Sequence, residues 1–200
     1  MPVASKATIA PLLLSLALNG CASATLGQFE RALAAQDSAT LALQDWCMAR
    51  GIGNPPRVSA NAVRNDDAPL PSDALDLLRV EGKANLGYRH VKLDCGGVTL
   101  SQAHNWFVPS RLTPEMNAAL RETDTPFGTV VAPLRFTRQR LAAFRGRAEG
   151  CPKGTILSHR AVLQLPDGRP ISLVVECYQA AALHLPDGAF TGDTLSIKAD

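Results

Sequence analysis

Glu176 closes the apolar run Ile171-Ser172-Leu173-Val174-Val175, and Arg89 opens an alternating stretch that carries Val91 and Leu93. A carboxylate at the end of an apolar strand faces desolvation, which raises its pKa and suits it to general acid or base work. An arginine facing the same interior suits a carboxylate ligand, because its fork donates two parallel hydrogen bonds. The same two residues would also serve as a structural ion pair, or Glu176 would point to solvent near a strand end, and these readings stay open. Other chemistries find no pattern. His90, His104, His159 and His184 stand isolated, without H-x-x-x-H spacing or neighbouring carboxylates, so no metal site is expected. There is no G-x-S-x-G nucleophile elbow and no glycine-rich phosphate loop.

Cys21 carries a different chemistry. An apolar run from Ala7 to Leu18 follows Lys6, broken only by Thr8, Pro11 and Ser15. At roughly a dozen residues it suits a signal segment and is too short to span a membrane as a helix. Leu18-Asn19-Gly20-Cys21 then resembles a bacterial lipobox. That resemblance implies a signal peptide over residues 1–20, acylation of the Cys21 thiol (palmitate or a similar chain), and a membrane-anchored lipoprotein facing the periplasm. Residues 21–37 read as a tether or short helix, with Leu26, Phe29 and Leu33 at helical spacing. Cys47, Cys95, Cys151 and Cys177 remain, and an even number in an exported chain predicts at least one disulfide. Four cysteines allow three pairings, and spacing does not choose among them.

These residues need elements to hold them. Ser38 is a suitable N-cap for a helix through Arg50, with Leu41, Trp46 and Met48 as its apolar bulk and Gly51 as its stop. Residues 51–71 are broken by prolines and read as loop with one short strand, and Ser72 begins another helical turn. Residues 88–94 and 98–108 read as strands around Gly96-Gly97, a strong hairpin signal. Thr113-Pro114-Glu115 opens a short helix through Leu120: threonine caps, proline takes the first position, glutamate lies in the first turn. Residues 129–132 read as a short β run, and Thr137 as the cap of a helix carrying Arg138, Arg140 and Arg145. Residues 155–165 and 170–178 read as a second hairpin around Asp167-Gly168, and residues 194–198 as a last β-like run. The expectation is an α+β domain over residues 38–200, a mainly antiparallel sheet with packed helices.

Composition agrees. The chain has 200 residues, 46% of them hydrophobic and 19% charged, which suffices for one core and excludes a wholly disordered protein. Twenty basic against 18 acidic side chains exclude a strongly basic nucleic-acid binder, and 5% aromatics make a base-stacking platform unsuitable.

The ordered set of segments resembles a known family. Arg89-His90-Val91-Lys92-Leu93 leads through a hairpin to Asn105-Trp106-Phe107-Val108-Pro109. Thr123-Asp124-Thr125-Pro126-Phe127-Gly128 and Thr137-Arg138 follow, then Gly168-Arg169-Pro170 and Val174-Val175-Glu176. With Leu43-Gln44-Asp45-Trp46 as a first helix, this resembles the chorismate pyruvate-lyase family over residues 38–183. The resemblance implies an antiparallel sheet around an enclosed site and elimination of pyruvate from chorismate to give 4-hydroxybenzoate, without metal or organic cofactor. It implies that Arg89 binds a ligand carboxylate, that Phe127 lends a backbone N–H, and that Glu176 sits at the opposite end of the ring as the catalytic acid or base. Asn105 departs from the family's charged or small residue at that place. Chorismate is cytoplasmic and this chain carries an export-like segment. The alternative is therefore a catalytically silent, lipid-anchored envelope module that keeps the fold and binds a similar small aromatic carboxylate, or serves only as structure.

Overall fold

The computed structural model describes residues 15–36 and 38–183, with side chains from Thr25 onward. His184 and the β-like run at 194–198 lie outside the described residues. The first helix, α1 (Ser15–Ala34), covers much of the stretch read as tether or short helix, and its second half brings Phe29 and Leu33 into the core. The Phe29 ring lies 5.0 Å from that of Trp46 and 5.5 Å from that of Tyr178. Helix α2 (Ala39–Arg50) forms as its caps dictate: the Ser38 hydroxyl accepts from the Leu41 N–H, and Gly51 turns the chain out at φ 60°. Its buried face is Ala42, Leu43, Trp46 and Cys47. Leu41 and Met48, expected as apolar bulk, lie on the solvent side at 57% and 54% exposure.

The sheet is built from β1 (Val58–Val63), β2 (Gly87–Cys95), β3 (Val98–Phe107), β4 (Thr137–Arg145), β5 (Thr155–Gln164) and β6 (Pro170–Gln179). Its spatial order is β1-β2-β3-β6-β5-β4, with every neighbouring pair antiparallel. Both predicted hairpins form. Gly96 and Gly97 turn the first at φ 53° and 89°, a left-handed pair in which side chains are strained. Strand β6 lies at the centre, buried on both faces, which is why it reads as a nearly unbroken apolar run.

The described residues also form three short α-helices: α3 (Ala74–Leu78), α4 (Pro114–Glu122) and α5 (Phe127–Val131). Helix α4 starts as predicted, with the Thr113 hydroxyl accepting from the Met116 N–H. Two expectations are corrected. Residues 129–132, read as a β run, instead belong to α5 and the turn of 3-10 helix that follows it, because Phe127 and Val131, one turn apart, both bury in the core and override the β-branched propensity of Thr129-Val130-Val131. Residues 137–145 are an edge strand rather than a helix, because the backbone pairs with β5 from Thr137–Gln164 to Arg145–Leu157. Exposed charges suit such an edge, since they discourage further strand pairing.

One sheet face packs Val91, Leu93 and Tyr178 against Phe29, Leu43 and Trp46 from α1 and α2. The other packs Trp106, Leu173 and Val175 against Ala74 and Leu78. Two disulfides tie these layers: Cys47–Cys95 joins α2 to the end of β2, and Cys151–Cys177 joins the loop before β5 to β6. Among the described residues no helix is long and apolar enough to cross a membrane.

Candidate functional site

Strand alternation sends Val91 and Leu93, Ala103 and Asn105, and Val174 and Glu176 to the face that α2 covers. They floor a cavity of about 60 Å³. Ser38, Ala39 and Thr40 at the start of α2, and Pro126, Phe127 and Gly128 at the start of α5, line it as well, together with Phe136 and Arg138. Most of this lining is apolar, so its few polar groups decide what it can hold.

Glu176 lies at the sheet's centre, opposite Ala103 on β3 and His159 on β5. Its carboxylate is met by the Arg138 fork: Nη1 donates to Oε1 at 3.0 Å and Nη2 donates to Oε2. The Tyr178 hydroxyl donates to Oε2 at 2.8 Å. Burial alone pushes the carboxyl up, but the charge and hydrogen bonds of Arg138, the Tyr178 bond and nearby His159 outweigh it and hold it below the usual carboxylate range. The expected upward shift of Glu176 is thus reversed, because desolvation is answered by a buried partner. Burial, with Glu176 beside it, raises the Tyr178 phenol well above its ordinary value. His159 is driven down first by burial, then by Arg138 and Arg140, against the opposing pull of Glu176.

Arg138, not Arg89, is the partner of Glu176. Its residue was part of the Thr137-Arg138 segment, but a helix reading of 137–145 hid the alternation that turns it inward. Arg89 is buried next to Asn105 across the β2–β3 ladder. Its guanidinium donates to the carbonyls of Leu120, Thr123 at 3.0 Å and Thr125 at 2.8 Å, while its Nε is buried without a partner. It is not among the residues lining the cavity. It pins the end of α4 and the following loop, and so sets the position of Phe127 indirectly. Burial lowers its pKa. Phe127 does line the cavity, and its ring centroid is 5.5 Å from that of Phe107. Cys21 falls within α1, with its side chain outside those described.

Asn105 is 5% exposed and lines the cavity. The histidines, expected to be isolated, are not. On the opposite sheet face His90 and His104 stack with ring centroids 4.3 Å apart, and Asp66 lies against them. Sequence spacing missed this group because the two histidines meet across a strand pair, not along one element. Burial, helped by His90, lowers the His104 pKa to about 4.

No protein-family model matches the chain. The uncharacterized protein y4mC of Sinorhizobium fredii is 39% identical over 184 residues, covering 82% of this chain and 78% of that protein. Among solved structures, PhnF from Mycobacterium smegmatis is similar with a TM-score of 0.51 at 16% identity, over 74% of this chain and 66% of the PhnF chain. The effector domain of the same PhnF gives 0.48 at 18% identity, over 72% of this chain and 89% of that one. The likeness to the full PhnF chain is one of architecture, and the six-stranded antiparallel sheet with packed helices is the α+β arrangement that the sequence resemblance implied.

Proposed function

This chain belongs to the family of the Sinorhizobium fredii protein y4mC, and on that premise we propose that it is a binding module for a small aromatic carboxylate. The observation that carries the reading is Asn105, a polar residue only 5% exposed in the wall of a mostly apolar cavity. An asparagine amide both donates and accepts, so it can hydrogen-bond a ligand oxygen or nitrogen there. The start of α2 adds N–H groups with no helical partner and the positive end of the helix dipole, a setting that favours an anion. The apolar side chains of Val91, Leu93, Val174 and Phe127 suit the ring. A volume near 60 Å³ is far below that of pockets for drug-sized ligands, so the ligand is small.

Elimination of pyruvate from chorismate is less well supported. That reaction asks a group at the cavity floor to give and take a proton, and Arg138 holds Glu176 ionised. Two disulfides favour an oxidising compartment. With the signal-like segment and the Leu18–Cys21 box, they support a lipoprotein anchored through Cys21 and facing the periplasm, which mass spectrometry of the mature N-terminus tests. Calorimetric titration with benzoate and 4-hydroxybenzoate tests the binding. The wild-type chain is expected to bind, and Asn105→Leu to weaken binding at least tenfold. Chorismate, followed by the absorbance of 4-hydroxybenzoate, is expected to give no product. Turnover would restore the lyase reading, and absence of all binding would remove the cavity as a site.

A further inference from the structure

The sheet face opposite the cavity holds a second group of chemistry-bearing side chains. His90 on β2 and His104 on β3 are directly opposed in the antiparallel ladder. Both are buried, at 8% and 6% exposure, and their rings stack at an interplanar angle of 24°. Cross-strand neighbours on one face have their Cβ atoms about 4.5–5.5 Å apart, a span that lets two imidazoles reach one ion. The loop after β1 brings Asp66 over the pair. Its Oδ2 lies 2.5 Å from His90 Nδ1 and 3.5 Å from the Tyr88 hydroxyl, which is itself 2.8 Å from His104 Nδ1. One ligand atom from each of Asp66, His90 and His104 falls within 4.8 Å of the other two.

Two imidazole nitrogens and one carboxylate oxygen are a borderline donor set. They suit zinc and its neighbours in the transition series, whereas calcium and magnesium take mainly oxygen. Cys47, Cys95, Cys151 and Cys177 are spent in disulfides, so none of these four offers a thiolate to such an ion. We propose that Asp66, His90 and His104 form a binding site for one divalent transition-metal ion of the zinc class, on the side of the sheet away from the carboxylate cavity. Gln102 Oε1 lies 3.1 Å from His90 Nε2 and orients the ring from behind, as outer-shell partners of metal-bound histidines do. The Tyr88 hydroxyl, against both His104 and Asp66, stands where a fourth ligand or an orienting hydrogen bond is needed. Asp66, with its side chain 37% exposed, opens the site to solvent, so the ion exchanges without unfolding the sheet.

Untagged, chelator-treated protein titrated with zinc(II) against a chromophoric chelator tests the site. The wild-type chain is expected to take up one ion per chain. Asp66→Asn is expected to weaken uptake at least tenfold, and His104→Gln at least a hundredfold. Cobalt(II) loaded into the wild-type chain is expected to show visible absorption bands that His104→Gln abolishes. Zinc uptake no stronger than that of the variants, or stoichiometric uptake that neither substitution changes, would overturn the assignment. Asp66 sits on an exposed loop, so Asp66→Asn decides the question even if His104→Gln fails to fold. Benzoate binding by Asp66→Asn is expected to equal that of the wild-type chain, which separates this site from the cavity.

Discussion

Removing the Arg138 side chain while Glu176 stays in place is the most direct perturbation of the cavity floor. The two side chains are 9% and 5% exposed, so neither charge is shared with bulk water. Arg138→Ala leaves a carboxylate at the sheet's centre with only the Tyr178 hydroxyl for a partner. Breaking one member of a buried pair costs about 3–5 kcal/mol, mostly the penalty of the charge left behind. At about 2–4 °C per kcal/mol for a domain of this size, that is a loss of about 6–20 °C in Tm. Replacing both members, Arg138→Met with Glu176→Gln, removes both charges and is expected to recover at least half of the loss, since an amide still accepts from Tyr178. The pH dependence has a definite sign. In the wild-type chain the folded pKa of Glu176 lies below its unfolded value, so its contribution is full above the ordinary carboxylate range and is lost as pH falls through the folded value. In Arg138→Ala burial acts without its main counterweight, with only Tyr178 and His159 left to oppose it, and the folded pKa is expected to rise above the unfolded one. The penalty is then greatest at neutral pH and is relieved on acidification. Chemical denaturation of the three chains between neutral and mildly acidic pH measures this. A single variant within about 0.5 kcal/mol of wild type, or a gap that widens on acidification, would refute the reasoning.

Other outcomes follow from the same structure. Reducing Cys47–Cys95 and Cys151–Cys177, which close separations of 48 and 26 residues, is expected to cost about 4 and about 3.5 kcal/mol on the loop-entropy estimate. Denaturation with and without reductant checks it, and a chain equally stable in both would refute the pairing. Arg89→Met leaves the carbonyls of Leu120, Thr123 and Thr125 without their donor and is expected to cost about 1–3 kcal/mol. Hydrogen exchange should quicken across residues 120–128 while β5 and β6 stay protected. Unchanged exchange there would mean that Arg89 does not hold the loop.

The sequence by itself determined the elements whose signals are local. The Ser38 and Gly51 caps bound α2, Thr113-Pro114 starts α4, and Gly96-Gly97 and Asp167-Gly168 place the turns of both hairpins. Each is a backbone requirement met within a few residues, so it is legible without knowing the fold. The apolar run of β6 likewise marked a strand, and Glu176 at its end was one candidate for a buried charge, with a solvent-facing position left open. What answers that charge was not legible. Arg138 lies 38 residues away on the edge strand, and the two converge only because β4 returns beside β5 and β5 lies beside β6. The same holds for residues 137–145, where ladder hydrogen bonds to β5 prevail over a local helix signal, and for residues 127–131, where burial of Phe127 and Val131 prevails over β propensity. The Asp66, His90 and His104 group came from pairing register and from a loop folded over it. Local sequence sets φ, ψ and capping, but partners of buried polar groups are chosen by sheet order and register, and those are properties of the packed whole.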